Sequence, residues 1–236
     1  MIRVIGFDAD DTLWHNENHF QDMQDVLRSI IERYPVDRER VDDHLLQVEQ
    51  NNLGRYGYGA KAFALSMIET AVELTGGEIA GRDIARIIAM VQSFLSGPTH
   101  VLDGVTDTLD ILKGRYELLL ITKGDELEQK MKLASSKLEP FFHRAHFVQE
   151  KDVKTYGAIL QSQQVEPQEF LMVGNSVRSD IRPVLELGGA AVHIPYHVTW
   201  QHEHSELSDG ERRAAVVLAS IRDLPRFLER GRDNDC

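Results

Sequence analysis

The 236-residue chain is 42% hydrophobic and 27% charged, enough to bury a substantial core as one domain or as one domain carrying a large insertion. Its 26 basic and 38 acidic residues leave a formal charge of -12, which argues against nonspecific binding to nucleic acid or to an anionic membrane surface and points to small-molecule ligands. With one cysteine, Cys236, no signal-peptide core ahead of Asp8 and no apolar run approaching a membrane span, the expectation is a soluble cytoplasmic protein without disulfides or thiolate metal clusters.

The first predicted element is the apolar run VIGF at residues 4–7, which breaks into Asp8, Asp10 and Asp11. Ionised carboxylates repel one another and resist desolvation, so three of them against a buried strand require a compensating cation or a chemical task. From residue 18 to residue 96 the texture is helical. Phe20, Met23, Leu27, Ile30 and Tyr34 step by three and four, and Val41, Leu45 and Val48 continue the spacing. Two further helices follow the glycine-rich GRYGYG (54–59), one over KAFALSMIETAVEL and one over DIARIIAMVQSFL, with Ile84, Ile88, Val91 and Leu95 as its apolar stripe. Asp37 and Asp83 stand as candidate N-caps, and Gly97-Pro98 stops the last helix.

Beyond this block, short apolar runs alternate with amphipathic helices: ELLLIT (117–122), AHFV (145–148), FLMVG (170–174), AAVHI (190–194) and AVVLA before a final helix at DLPRFLER. Unalternated runs bounded by turn residues read as strands buried on both faces of a parallel sheet, so the expected fold is α/β, a doubly wound core (1–17 and 97–236) with an inserted α-helical cap (18–96). Such sheets bind ligands beyond the carboxyl ends of their strands. The residues there are Asp8-Ala9-Asp10-Asp11-Thr12, then Thr122-Lys123-Gly124, then Gly174-Asn175-Ser176-Val177-Arg178-Ser179-Asp180, with EKDVKTY carrying Lys151 and Lys154 between the last two. Carboxylates, a hydroxyl and a lysine converging on one crevice suit a phosphoryl group held with a divalent cation.

These four segments resemble, in order, the motifs of the haloacid dehalogenase (HAD) superfamily, specifically its phosphatase branch: D-x-D-x-T after the first strand, Thr122 ending the second, a lysine upstream of the last motif, and G-N-S-x-x-S-D. The helical block between the first two motifs resembles the family's cap. The resemblance implies that Asp8 is a nucleophile forming an aspartyl phosphate, that Asp10 is the general acid and base, and that Mg2+ is held by Asp8, the Asp10 carbonyl and Asp180. It implies that Thr122 and the amides of Lys123 and Gly124 grip phosphate oxygens and that Lys151, with Lys154 as its competitor, neutralises charge. The last motif often begins Gly-Asp, so Asn175 replaces a carboxylate and is read as a neighbour of the metal or substrate. Asp11 reads as a turn residue.

Within the superfamily, Asp10 speaks for phosphate esters. Dehalogenases lack the second motif aspartate, because halide leaves carbon without a proton or magnesium. Phosphonatases use a cap lysine, and the cap's sole lysine is Lys61 on a probable helix. A phosphomutase, a response-regulator receiver and a HAD-like scaffold that only binds are the other readings. Arg55 and Tyr58 of GRYGYG are candidate substrate contacts, and the His193, His197, His202 and His204 segment reads as a surface or neighbouring loop. The expected partner is a small phosphorylated metabolite whose identity, like the oligomeric state, the sequence does not give.

Overall fold

The computed structural model describes residues 1–198 and 205–233, the side chains of 231–233 excepted. It divides into two compact units: Met1–Glu17 with Thr99–Lys123 and the chain from Lys132 onward, and Asn18–Pro98 with Gly124–Met131.

The first unit is built on a six-stranded, wholly parallel sheet of β1 (Val4–Phe7), β2 (Glu117–Lys123), β3 (Arg144–Val148), β4 (Phe170–Gly174), β5 (Ala190–His193) and β6 (Val216–Val217), in the order β3-β2-β1-β4-β5-β6. Both faces are apolar, which explains the unalternated runs. Ile5, Phe7, Leu118, Leu120, Leu171 and Val173 enter one core, while Val4, Leu119, Ile121, Phe170 and Met172 enter the other. Gly6 is required at the centre of β1, since a Cβ there would come within 2.6 Å of the Phe170 ring. Strand order reverses at the β1–β4 junction, the place where a crevice opens in sheets of this winding. Asp8 follows β1 and Asn175 follows β4, so the topology alone puts two motifs there.

The second unit is built on α1 (Glu17–Ile31), which starts in the first unit, α2 (Arg40–Tyr56), α3 (Ala60–Leu74) and α4 (Gly81–Ser96). Met23, Leu27, Ile30, Val41, Leu45, Phe63, Met67, Ile87 and Val91 form its core, so the stripes read for α1 and α2 are the buried ones. Three local readings are corrected. The buried stripe of α4 runs through Asp83, Ile87 and Val91, and Ile88 is exposed. Neither Asp37 nor Asp83 is an N-cap: α2 is preceded by Glu39 and α4 by Ala80. Asp83 sits inside α4 and accepts from Arg33 and from Tyr34 Oη at 2.6 Å, so its charge is spent tying α4 to the residues after α1. Gly54 lies in the body of α2, leaving Gly57 and Gly59, both at positive φ, to make the turn into α3.

The remaining helices are α5 (Val105–Leu112), α6 (Glu126–Ser136), α7 (Val153–Gln163), α8 (Arg182–Glu186), α9 (Asp209–Ala214) and α10 (Leu224–Asp233). None of the described helices is long and apolar enough to cross a membrane.

Candidate active site

Asp8 leaves the carboxyl end of β1 with its amide still in the ladder, donating to the Val173 carbonyl at 2.9 Å. Its side chain is buried. Thr12 Oγ1 donates to Asp8 Oδ2 at 2.9 Å, and Lys151 Nζ donates to Oδ1. The same ammonium donates to Asp180 Oδ1 at 2.7 Å, so one cation bridges two buried carboxylates that lie 172 positions apart in the sequence. Lys151 immediately precedes α7, whose N-cap Asp152 accepts from the Thr155 amide at 2.7 Å and fixes where the helix starts. Lys154, the second residue of α7, is exposed. Of the two lysines, the structure brings Lys151 to the carboxylates.

Asp180 sits in a π-helical turn, Val177–Ile181, after β4. Ser176 N donates to its Oδ2 at 3.0 Å, and Tyr156 of α7 anchors the turn by donating to the Ser179 carbonyl at 3.1 Å. A Cβ on Gly174 would lie 2.3 Å from Asp180 Cγ, so glycine at the end of β4 is what lets this carboxyl group press against the main chain. Burial pushes the Asp8 carboxyl up to about 7; Lys151 opposes that rise and Asp180 adds to it. Burial works against charge on Lys151, but Asp180 and Asp8 outweigh it and hold the ammonium well above its ordinary value.

Thr122, next to last in β2, has its hydroxyl oxygen buried and, among the described residues, without a hydrogen-bond partner. A buried unpaired hydroxyl costs free energy and calls for an explanation, and an absent ligand is one. Lys123 Nζ lies 3.4 Å from Ser179 Oγ. Asn175 Oδ1 accepts from Thr12 Oγ1 at 3.3 Å, which links the last motif to the first, and the Asn175 carbonyl is 2.9 Å from His193 Nε2. Gly124, Arg55 and Tyr58 belong to the helical unit, Arg55 in the last turn of α2 and Tyr58 in the turn before α3. His197 packs its ring against Tyr196; His202 and His204, like Cys236, lie outside the described residues.

The turn after Asp8 carries contacts that motif reading missed. Asp11, at φ 61°, accepts from the amides of Asn16 and Glu17 at 2.9 and 3.1 Å, so its carboxylate satisfies the start of α1. Asp10 Oδ1 accepts from Trp14 Nε1 at 2.7 Å, and both Asp10 oxygens accept from Lys132 Nζ, at 3.1 and 3.2 Å. Lys132 comes from α6, where a polar stripe of Glu128, Gln129, Lys132 and Ser136 is buried beside Leu133 while Leu127 and Met131 are exposed. No sequence pattern marks Lys132 as buried, since polar residues at this spacing ordinarily form a solvated helix face.

For a metal, the donor set is hard oxygen: two buried carboxylates close enough to share one ammonium, and the Asp10 carbonyl on the adjoining turn. Among the described residues no three His, Cys, Asp or Glu side chains form a cage. Two carboxylates completed by water and substrate oxygens are nonetheless the customary surroundings of Mg2+, so the residues present fit that ion.

The model of the haloacid dehalogenase-like hydrolase family matches residues 2–188, and the chain belongs to that family. It is 24% identical to the glyceraldehyde 3-phosphate phosphatase of Pyrococcus furiosus, over 99% of this chain and 96% of the relative. Among solved structures, a haloacid dehalogenase-like family hydrolase from Xanthomonas campestris superposes with a TM-score of 0.85 at 36% identity, covering 97% of this chain and 91% of the other. A 2-haloacid dehalogenase from Pseudomonas syringae pv. tomato shares the fold at a TM-score of 0.63 and 21% identity, over 98% and 99%.

Proposed function

We propose that this HAD-like hydrolase is a Mg2+-dependent phosphatase that hydrolyses a small phosphomonoester through an aspartyl phosphate on Asp8. The observation that carries the reading is the Asp8–Asp10 pair on one turn: a buried carboxylate held by Thr12 and Lys151, and a second carboxylate two residues on with its own donors. A dehalogenase needs only the first. The phosphatase relative supports the same choice.

In this reading Asp8 attacks phosphorus while Asp10 gives its proton to the departing ester oxygen, dividing one hard displacement into two easier ones. Asp10 then takes a proton from water, whose oxygen attacks the phosphorus and releases Asp8. Thr122 Oγ1 donates to a phosphate oxygen and so acquires the partner it lacks, the amides of Lys123 and Gly124 bind the others, and Asn175 stays beside Thr12. Lys151 offsets the charge of Asp8 and phosphate. Mg2+, when bound by Asp8, Asp180 and the Asp10 carbonyl, supplies the positive charge that lets an anionic nucleophile meet an anionic ester. Residues 18–96 serve as a cap, with Arg55 and Tyr58 as contacts that select the ester.

Assay of p-nitrophenyl phosphate with Mg2+ and with EDTA, beside halide release from 2-chloropropionate, tests this. Metal-dependent phosphate release that falls by about a thousandfold or more in Asp8→Asn is the expected result. Halide release without phosphate release would replace the phosphatase reading by the dehalogenase one.

A further inference from the structure

The fixed geometry of Asp10 points to a role for a residue outside the four motifs. Lys132, nine-tenths buried on α6, directs its ammonium at both oxygens of Asp10 and at Asn16 Oδ1, 2.7 Å away. Trp14, fully buried, holds the same carboxylate through its indole N–H. The backbone closes the arrangement, since the Asp11 amide donates to the Trp14 carbonyl at 2.7 Å and the amides of Leu13 and Trp14 both donate to Ala9. Asp10 is therefore gripped from its own turn, and Lys132 ties that turn to a helix 122 residues away in the sequence.

We propose that Lys132 is a positioning residue for Asp10, an inference that rests on the phosphatase reading. In the first half of that reaction the proton leaves an Asp10 oxygen for the ester oxygen as the phosphorus–oxygen bond breaks and the bond to Asp8 forms. In the second half a water proton returns to Asp10 as water oxygen bonds to phosphorus and Asp8 leaves. Both transfers use one carboxyl group at one place, and small displacements of a reacting group are costly. Lys132 keeps all its protons throughout. Its task is to hold the carboxylate, with Trp14, against rotation about its side-chain bonds, while Asn16 fixes the ammonium. Burial of a lysine on a helix whose Leu127 and Met131 face solvent then has a purpose that packing does not supply.

The test compares Lys132→Met in the full chain on two esters, a simple alkyl phosphate that needs its leaving oxygen protonated and p-nitrophenyl phosphate that hardly does. Lys132→Met is expected to lower kcat/KM for the alkyl ester by about a hundredfold and for the aryl ester by about tenfold less, with Lys132→Arg recovering most of the loss. In an Asp10→Asn background, Lys132→Met is expected to cost less than about twofold, because the two changes act through one group. Equal losses on both esters, or additive losses, overturn the proposal. Asn16→Ala carries the same comparison, with a smaller ester preference, should Lys132→Met not fold. The indole N–H resonance of Trp14, in a Trp200→Phe background, reports the contact without turnover: Lys132→Met should move it, but not further once Asp10 is Asn. If the unaltered enzyme hydrolyses neither ester, the phosphatase reading fails and this resonance alone judges the contact; an unmoved signal overturns it.

Discussion

Lys151 and Asp180 form a 2.7 Å ion pair from which solvent is almost wholly excluded, and the same ammonium reaches Asp8. Removing one member of a buried group of charges leaves the others uncompensated. Lys151→Met should therefore cost about 3–5 kcal/mol of stability, measured by urea unfolding in EDTA. Mg2+ should recover part of that loss, because a cation held by Asp8 and Asp180 relieves the repulsion that Lys151 no longer offsets. Equal losses with and without Mg2+ would mean that the two carboxylates do not share an ion.

Gly174 explains why Asp180 can sit where it does. A methyl group there would meet the Asp180 carboxyl carbon at 2.3 Å, far inside contact distance, with the π-helical turn allowing little retreat. Gly174→Ala is expected to destabilise the protein by about 1–3 kcal/mol and to displace the Asp180 carboxylate from the proposed Mg2+ position. Isothermal titration with Mg2+ should show affinity weakened by about tenfold or more, since Mg2+ demands near-ideal ligand placement.

The elements legible in the sequence were those with a strong local pattern. Strands buried on both faces announce themselves as apolar runs, and the turn that follows each one is fixed by chain order, which is why Asp8, Thr122 and Asp180 could be named before any fold was known. What pattern could not show was pairing across the chain. Asp83 has the residue type and position of a cap, yet it serves Arg33 and Tyr34 from inside α4. Lys132 looks like any solvated helix lysine until its partner, Asp10, is brought to it by the folding of α6 against the first turn. The choice between Lys151 and Lys154 is of the same kind, since it depends on where α7 begins and Asp152 sets that point.

Arg182 and Glu211 give a pH-dependent contact away from the proposed chemistry. Arg182 Nε donates to Glu211 Oε1 at 2.6 Å, and Ser208 N donates to the same carboxylate at 2.7 Å as part of the cap of α9. The Arg182 hydrogen bond, aided by Ser208, holds the Glu211 carboxyl down at about 2, against an ordinary 4.5. A carboxyl depressed in the folded state stabilises at neutral pH and loses that contribution as pH falls from about 4.5 to about 2. Arg182→Met, at a partly exposed position, should thus cost at most about 1 kcal/mol at pH 7, and the gap in melting temperature between the two proteins should close across that acidic window. A gap that stays constant down to pH 2 would assign the loss to packing of the arginine stem.

Thr122 separates binding from stability most cleanly. Its hydroxyl oxygen is buried without a partner among the described residues, so the folded protein alone bears the cost of keeping it dry. Exchanging it for a methyl of the same shape in Thr122→Val removes that cost, and the melting temperature should stay level or rise. If the hydroxyl exists to meet a phosphate oxygen, the same change deletes a hydrogen bond made only with ligand present. Inhibition by inorganic phosphate should weaken by about tenfold, the size expected for one such bond to a charged group. A variant that is both less stable and unchanged in phosphate binding would assign Thr122 a structural role, leaving phosphate recognition to backbone amides and Lys151.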